Sequence, residues 1–229
     1  MICAVIVAAG KGTRMGPNID KLFLPVAGRP VIAHTWERFD HFPEIAQIVI
    51  VVREGMQSAF KEIAAQIQTT KPYIFAIGGK ERQDSVWNGL EALPKEATIV
   101  AIQDGARPCT SEQIIRDTLA AARETGAAVA AQKVTDTIKE ACANNIIARN
   151  VDRTHLWSVQ TPQAFRAEVI RRALSEVFAR KLAVTDDTAA CELIQQPVRL
   201  VESAAPNPKV TARADLAFVE LCLTAGKSV

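Results

Sequence analysis

Apolar positions along this chain fall into short blocks, and the spacing within the blocks alternates between two patterns. Ile2–Ala9 is an unbroken apolar run, which predicts a strand buried on both faces. A long Gly/Pro-containing loop follows, to about Arg29. Pro30–Phe42 carries its apolar residues at helical spacing, and Pro30 suits a first helical turn. The alternation continues with a strand at Ile45–Val52, a helix at Met56–Ile67, a strand at Tyr73–Ile77, a helix at Asp84–Leu93 and a strand at Ile99–Gln103. The next helix runs from Ser111 to about Glu124, with Ser111 and Glu112 as a start signal and Gly126 as a stop, and a strand follows at Ala127–Gln132. Repeated strand–helix–strand order predicts an α/β fold: a Rossmann-like, mostly parallel sheet with helices on both faces.

The order breaks after residue 133. Val134–Lys139 alternates, Asn144–Asn145 has turn chemistry, and Ile146–Arg153 reads as extended. The pattern is a β-hairpin arm inserted at about 134–153. Such a hairpin alone is marginal in water, so it is expected to pack on something. A second copy of the chain is the simplest candidate, giving a homodimer through the arm; the competing expectation is an ordinary surface hairpin on its own subunit. Beyond Trp157–Thr161, helices are expected at Arg166–Ala179 and Asp187–Ile194, a strand at Val198–Val201 and a last helix at Ala212–Leu223. Without repeats or low-complexity tracts, residues 1–229 read as one domain carrying the arm.

Composition narrows the class. The 229 residues carry a net charge of +2, too balanced for a chain whose main task is binding nucleic acid or an anionic membrane. Five scattered cysteines make no C-x-x-C pair, and the three histidines have no zinc-ligand spacing, as expected for free thiols in a reducing compartment. No apolar run is long enough to span a bilayer, and Met1 leads straight into the first strand. A cytoplasmic location is therefore expected.

The chemistry gathers where the first strand ends, in VAAGKGTRMG (Val7–Gly16). In open α/β sheets, ligands bind beyond the carboxyl ends of the strands. Glycines let backbone N–H groups face an anion, and Lys11, Arg14 and Lys21 add positive charge, so phosphate is the expected guest. A dinucleotide fingerprint fails, because Met15 stands where Gly or Ala is required and Pro17 blocks immediate entry into a helix. A Walker A loop fails as well, since no glycine sits five residues after Gly10 or Gly12.

AAGKGTRMG followed by DKLFLPVAGRPVI resembles the signature of sugar-nucleotide pyrophosphorylases and related nucleotidyltransferases. With GGKERQDSV (Gly78–Val86), QDGARP (Gln103–Pro108), VDRTHLWSVQTPQAF (Val151–Phe165), VTDD (Val184–Asp187) and NPKVT (Asn207–Thr211), nearly the whole chain resembles the 2-C-methyl-D-erythritol 4-phosphate cytidylyltransferases of the non-mevalonate isoprenoid pathway. No second catalytic domain follows, so the single-function form is expected.

The resemblance implies that CTP and methylerythritol phosphate react to give CDP-methylerythritol and pyrophosphate, with Mg²⁺ or another divalent cation. The nucleophile is a phosphate already largely ionised at neutral pH (second pKa about 6). The barrier is then mutual repulsion and transition-state charge, which positioned cations lower.

By the same resemblance, Arg14 and Lys21 hold the triphosphate and stabilise the pentacoordinate state, and Lys209 joins them although distant in sequence. Ala8, Ala9, Gly10, Gly12, Gly79 and Ser85 bind the nucleotide. Asp104, at a strand's carboxyl end, binds CTP and the metal; a single carboxylate with phosphate oxygens is a usual Mg²⁺ arrangement. Arg107, Thr161 and Thr185 face the second substrate, and Thr137 and Arg153 reach it from the neighbouring subunit. Plainer roles compete: Ser85, or Asp84 in its place, as a helix cap; Thr185 as another cap; Arg107 in a surface ion pair. Cys109 and Trp157 are assigned structural roles only. Three other activities compete with this one: a cytidylyltransferase for ribitol 5-phosphate or another polyol phosphate, a non-catalytic nucleotide-sensing module, and a dehydrogenase.

Overall fold

The structure, a computed structural model, describes residues 1–10 and 20–225. In chain order it contains β1 (Ile2–Val7), the short β2 and β3 (Pro25–Val26, Arg29–Pro30), α1 (Val31–His41), β4 (Gln47–Val52), α2 (Gln57–Ile67) and β5 (Tyr73–Ile77). Then come α3 (Arg82–Glu91), β6 (Ile99–Asp104), α4 (Glu112–Thr125), β7 (Ala127–Lys133), β8 and β9 (Ile138–Ala141, Ile147–Val151) and β10 (Trp157–Arg166). The chain closes with α5 (Ala167–Ala179), α6 (Asp187–Leu193), β11 (Arg199–Glu202) and α7 (Asp215–Ala225).

Among the described residues, seven strands form one sheet in the order β11-β7-β10-β6-β1-β4-β5. β1 lies inside the sheet and runs parallel to β4 and β6, β4 is parallel to β5, and β11 is parallel to β7. The unbroken apolar run of β1 follows from burial on both faces. Ala4 and Ile6 join the core beneath α1 and α2, where Trp36, Phe39 and Phe60 sit, while Cys3 and Val5 join the core beneath α3 and α5 with Leu90 and Ile170. β4 divides the same way, Ile48, Ile50 and Val52 to one side, Val49 and Val51 to the other. Each buried Val, Ile, Leu or Phe among them contributes about 1.5–3 kcal/mol by leaving water. The expected mostly parallel α/β sheet covered on both faces is what the chain forms.

One element was not foreseen from the sequence. Trp157–Arg166 is a single ten-residue strand, antiparallel to both β6 and β7. Proline cannot donate to a ladder, and the register of β10 against β7 shifts between Val159 and Gln163, around Pro162. Helix ends follow local chemistry more closely. Ser111 caps α4 by accepting from the N–H of Ile114 at 3.3 Å, and Gly126 ends it at φ +88°. α3 begins two residues earlier than its apolar spacing suggests, because Glu81 and Asp84 form a capping box.

The arm is a separate two-stranded sheet, β8 against β9, with Asn144 and Asn145 both at positive φ. Residues 139–150 are all exposed, including Ile146 and Ile147 at 61% and 62%. Among the described residues no helix is long and apolar enough to cross a membrane.

Candidate active site

The carboxyl ends of β1, β4, β5 and β6 are tied across the sheet beyond their last ladder bonds. Ala8 N–H donates to the Val51 carbonyl at 2.8 Å, Gly78 N–H to Val52 at 2.8 Å and Gly105 N–H to Val7 at 2.9 Å. These ties hold the mouth of a cavity of about 820 Å³, within the range of small-molecule sites. Ala8, Ala9, Gly10, Gly79 and Ser85 line one part of it, and Lys21, Asp104 and Lys209 line another. Among the described residues its border carries five cations (Lys21, Arg53, Lys80, Arg82, Lys209) against three carboxylates (Glu54, Glu81, Asp104). The excess of positive charge suits a polyanion.

Glycine is required in the wall by close approach. A Cβ on Gly78 would stand 2.3 Å from the Ala9 Cβ, and one on Gly79 would stand 2.2 Å from the Asp84 Cβ. Ser85 lies inside α3 and is not its cap. Its hydroxyl accepts from Gly79 N–H and donates to the Glu81 carbonyl, each at 3.1 Å. Ser85 therefore fixes the glycine segment that borders the cavity.

Lys21 opens a 3₁₀ turn, Lys21–Phe23, capped by the Asp20 carboxylate through Leu22 N–H at 3.1 Å. Its ammonium donates to the Val210 carbonyl at 3.0 Å, and Lys209 reaches Asp104 Oδ2 at 2.6 Å. The expectation that distant Lys209 comes beside Lys21 is met. The segment between β11 and α7 is pinned by Val210 N–H on the Ala106 carbonyl at 2.8 Å, Arg107 on the Asn207 carbonyl at 2.6 Å, and Asn207 Nδ2 on the Thr161 carbonyl at 2.8 Å.

Asp104 ends β6 among cations: Lys209, Arg82 at 3.5 Å and Arg107 at 3.9 Å. Burial pushes this carboxyl up, but the three cations outweigh burial and hold it below the usual carboxylate range. Asp187, buried behind Arg82, is pushed the other way by burial, opposed by the Arg82 N–H at 2.8 Å. Arg107 is drawn downward by its own burial. One of its oxygen contacts is spent inside the fold, on Asn207, rather than on an exposed ion pair.

A second cavity of about 460 Å³ adjoins the first and shares Arg82, Asp104 and Lys209 with it. It is lined by Arg107, Thr161 and Thr185 among others. The Thr161 hydroxyl accepts from Asp104 N–H at 3.1 Å, linking β10 to β6. Thr185 is not the cap of α6. Asp186 is, accepting from Ala189 N–H at 3.0 Å, and the Thr185 side chain is exposed at the cavity border.

The structure thus gathers Ala8, Ala9, Gly10, Lys21, Gly79, Ser85, Asp104, Arg107, Thr161, Thr185 and Lys209 around two joined cavities. Gly12 and Arg14, with Lys11, lie outside the described residues. Thr137 and Arg153 are exposed at the base of the arm and border neither cavity of their own chain. They flank the Ile138–Val151 pair, at the same end of the hairpin.

Sequence reasoning missed Arg82 and Arg53. Arg82 sits in GGKERQDSV between Gly79 and Ser85, where nothing in the stretch distinguishes it from Lys80. Arg53 follows β4 and donates to the Gly10 carbonyl at 3.2 Å and to the Asp20 carboxylate. A cation at the end of a buried strand was the same signal that drew attention to the first loop.

For a divalent cation the donors are sparse. Among the described residues no three His, Cys, Asp or Glu side chains cluster. One carboxylate, Asp104, faces the junction. That fits Mg²⁺, which commonly takes one or two carboxylates plus substrate phosphates and water.

Residues 2–225 match the family model described as IspD, 2-C-methyl-D-erythritol 4-phosphate cytidylyltransferase. The chain is similar to the 2-C-methyl-D-erythritol 4-phosphate cytidylyltransferase of Pelotomaculum thermopropionicum, 39% identical over 98% of this chain and 94% of that one. The protein of that name from Synechococcus elongatus is 43% identical over 96% and 94%. Among solved structures, the 4-diphosphocytidyl-2C-methyl-D-erythritol synthase of Anaerococcus prevotii superposes with a TM-score of 0.86 at 30% identity, over 97% of this chain and 96% of that one. Fold, site and full-length similarity converge: this chain belongs to the IspD family of nucleotidyltransferases, the 2-C-methyl-D-erythritol 4-phosphate cytidylyltransferases.

Proposed function

We propose that the chain transfers a cytidylyl group from CTP to 2-C-methyl-D-erythritol 4-phosphate, giving 4-diphosphocytidyl-2-C-methyl-D-erythritol and pyrophosphate. One observation carries the mechanism: two cavities share Lys209, Asp104 and Arg82. CTP occupies the larger cavity, its base and ribose against Ala8, Ala9, Gly10, Gly79 and Ser85, its phosphates toward Lys21 and Lys209. By resemblance to the family, Gly12 also binds the nucleotide and Arg14 its triphosphate. The acceptor phosphate enters the smaller cavity, with Arg107, Thr161 and Thr185 as its contacts.

An acceptor phosphate oxygen attacks the CTP α-phosphorus, the bond to the β-phosphate oxygen breaks in line, and pyrophosphate leaves. Among the described residues no histidine lines either cavity, and none is needed, because the nucleophile is already ionised. Lys21, Lys209 and Arg14 hold two mutually repelling anions and stabilise the charge that develops between them. Asp104 is the residue that would hold Mg²⁺ against the triphosphate, where the ion supplies charge neutralisation.

Thr137 and Arg153 lie away from their own chain's cavities, and the arm exposes Ile146 and Ile147. Both facts support a homodimer in which the arm of one chain brings these two residues to the other's acceptor site. The balanced charge and the five scattered cysteines favour a cytoplasmic enzyme.

The test supplies CTP, UTP, ATP or GTP with Mg²⁺, each against methylerythritol phosphate and ribitol 5-phosphate, and measures pyrophosphate. CTP with methylerythritol phosphate is expected to be fastest; faster turnover with ribitol 5-phosphate overturns the acceptor assignment. Lys21→Ala and Lys209→Ala should each lower kcat by about 10²–10³, and unchanged turnover in both would refute the mechanism.

A further inference from the structure

Asp187 opens α6, is 1% exposed and borders neither cavity. Its Oδ2 accepts from an Arg82 terminal N–H at 2.8 Å, and its Oδ1 has no hydrogen-bond partner among the described residues. The backbone N–H of Asp187 donates to Gln163 Oε1 at 3.1 Å, and Gln163 Nε2 in turn donates to Asp186 at 2.8 Å. The helix does not need the Asp187 carboxylate, because Asp186 supplies the cap. Burying a carboxylate carries a large desolvation penalty that one partner offsets only in part. The side chain therefore calls for an explanation other than the stability of α6.

Arg82 supplies it. The guanidinium stands between two carboxylates, one terminal nitrogen on Asp187 and Nε at 3.5 Å from Asp104 Oδ1. It borders both cavities, so it is at the junction where the attacked phosphorus must lie. A long side chain at a cavity wall has many rotamers. Without a second anchor, Arg82 would be free to turn fully onto Asp104 and compete with Lys209 for it. The rigid fork of arginine matches two fixed acceptors at once, which an ammonium does not.

We propose that Asp187 is a positioning residue for the transfer reaction: from behind the wall it fixes Arg82 so that the guanidinium meets the transferring phosphoryl group and Asp104 stays paired with Lys209. This rests on the reaction given under Proposed function. Arg82 touches the substrates; Asp187 acts only through Arg82. A merely structural Asp187–Arg82 pair would tie α6 to α3 and affect stability without a selective effect on turnover.

The test is a double-mutant cycle with Asp187→Asn, Arg82→Met and the combination, together with Arg82→Lys, measured by pyrophosphate release with CTP and methylerythritol phosphate and by thermal unfolding. Asp187→Asn keeps the shape of the side chain and removes its charge. It is expected to lower kcat about 10–100-fold, less than losing a direct transition-state donor, while KM for CTP stays within about threefold. Arg82→Met should lower kcat further, and adding Asp187→Asn to it should cost no more activity, because the carboxylate then has nothing to position. Arg82→Lys should retain CTP binding but lose most of kcat. An additive loss in the double variant, turnover of Asp187→Asn within about twofold of the parent, or a loss that merely follows the fraction unfolded at the assay temperature would each overturn the role. A parent protein that releases no pyrophosphate from any substrate pair would instead refute the reaction, and this role with it.

Discussion

Gly78→Ala tests whether the nucleotide cavity has a rigid wall. Gly78 lies between β5 and α3, and its N–H is held on the Val52 carbonyl at 2.8 Å. A Cβ there would stand 2.3 Å from the Ala9 Cβ, 3.1 Å from Ser85 Oγ and 3.6 Å from the Val52 carbonyl oxygen. Carbon atoms in contact settle at about 3.5–4.0 Å, so the Ala9 contact must open by more than about an ångström. Ala9 has no rotamer to change, and its neighbour Ala8 is bonded to Val51, so backbone must move. Overpacking of this kind costs about 1–3 kcal/mol.

That strain has two outlets. Expressed in the free protein, it lowers the melting temperature by about 2–4 °C per kcal/mol for a chain of this size. Expressed at the nucleotide wall, it raises KM for CTP by about 5–150-fold, at tenfold per 1.4 kcal/mol. The Ser85 hydroxyl is crowded too, and with it the Gly79 N–H it accepts from. Steady-state pyrophosphate release at varied CTP, with saturating acceptor, should show the KM increase with kcat changed by no more than about threefold. KM for the acceptor should not move. A KM for CTP within about twofold of the parent, together with an unchanged melting temperature, would show that Ala9 and Ser85 yield freely and would refute the rigid-wall argument.

Arg53→Ala should raise KM for CTP about 3–10-fold, because it frees both the Gly10 carbonyl and the Asp20 carboxylate that caps the Lys21 turn; combining it with Asp20→Asn should add little, and full additivity in steady-state kinetics would count against a shared role. The lowered Asp104 pKa contributes stability that is present above the unfolded carboxylate value and is lost as pH falls through the folded value. Urea midpoints of the parent should therefore fall more steeply below about pH 5 than those of Asp104→Asn, with parallel curves above about pH 6; parallel curves throughout would contradict the direction assigned. Burial pushes Cys3 up to about 11, and Cys109 and Cys191 up to about 12, whereas Cys142 is exposed at the tip of the arm. Brief iodoacetamide treatment of native protein, read by peptide mass spectrometry, should label Cys142 well before those three, and early labelling of Cys3 or Cys191 would show that the core opens.

What the sequence disclosed and what it hid divide along the range of the forces involved. β1 and β4 were legible because burial on both faces imposes one requirement on every residue of the strand, so the run itself is the signal. The ends of α4 were legible because Ser111 and Gly126 act within a few residues. β10 was not: its buried interior includes Gln160, Thr161, Pro162 and Gln163, and polar groups of Thr161 and Gln163 bond to distant partners, Asn207 Nδ2 on the Thr161 carbonyl and Gln163 on Asp186. Polar residues satisfied this way erase the alternation that marks a strand. The same distinction governs the site. The glycine-rich end of β1 announces an anion by itself, but Arg82 acquires its meaning from Asp187, 105 residues away, and from Asp104 at the end of another strand. Lys209 acquires its meaning from Asp104 and from the neighbouring Val210 carbonyl that Lys21 holds. Resemblance to a family could name Lys209 because a motif carries it. Arg82 also sat inside a quoted motif, yet a motif gives identity without partners. A charge that does its work between two carboxylates becomes visible only when the fold sets all three side by side.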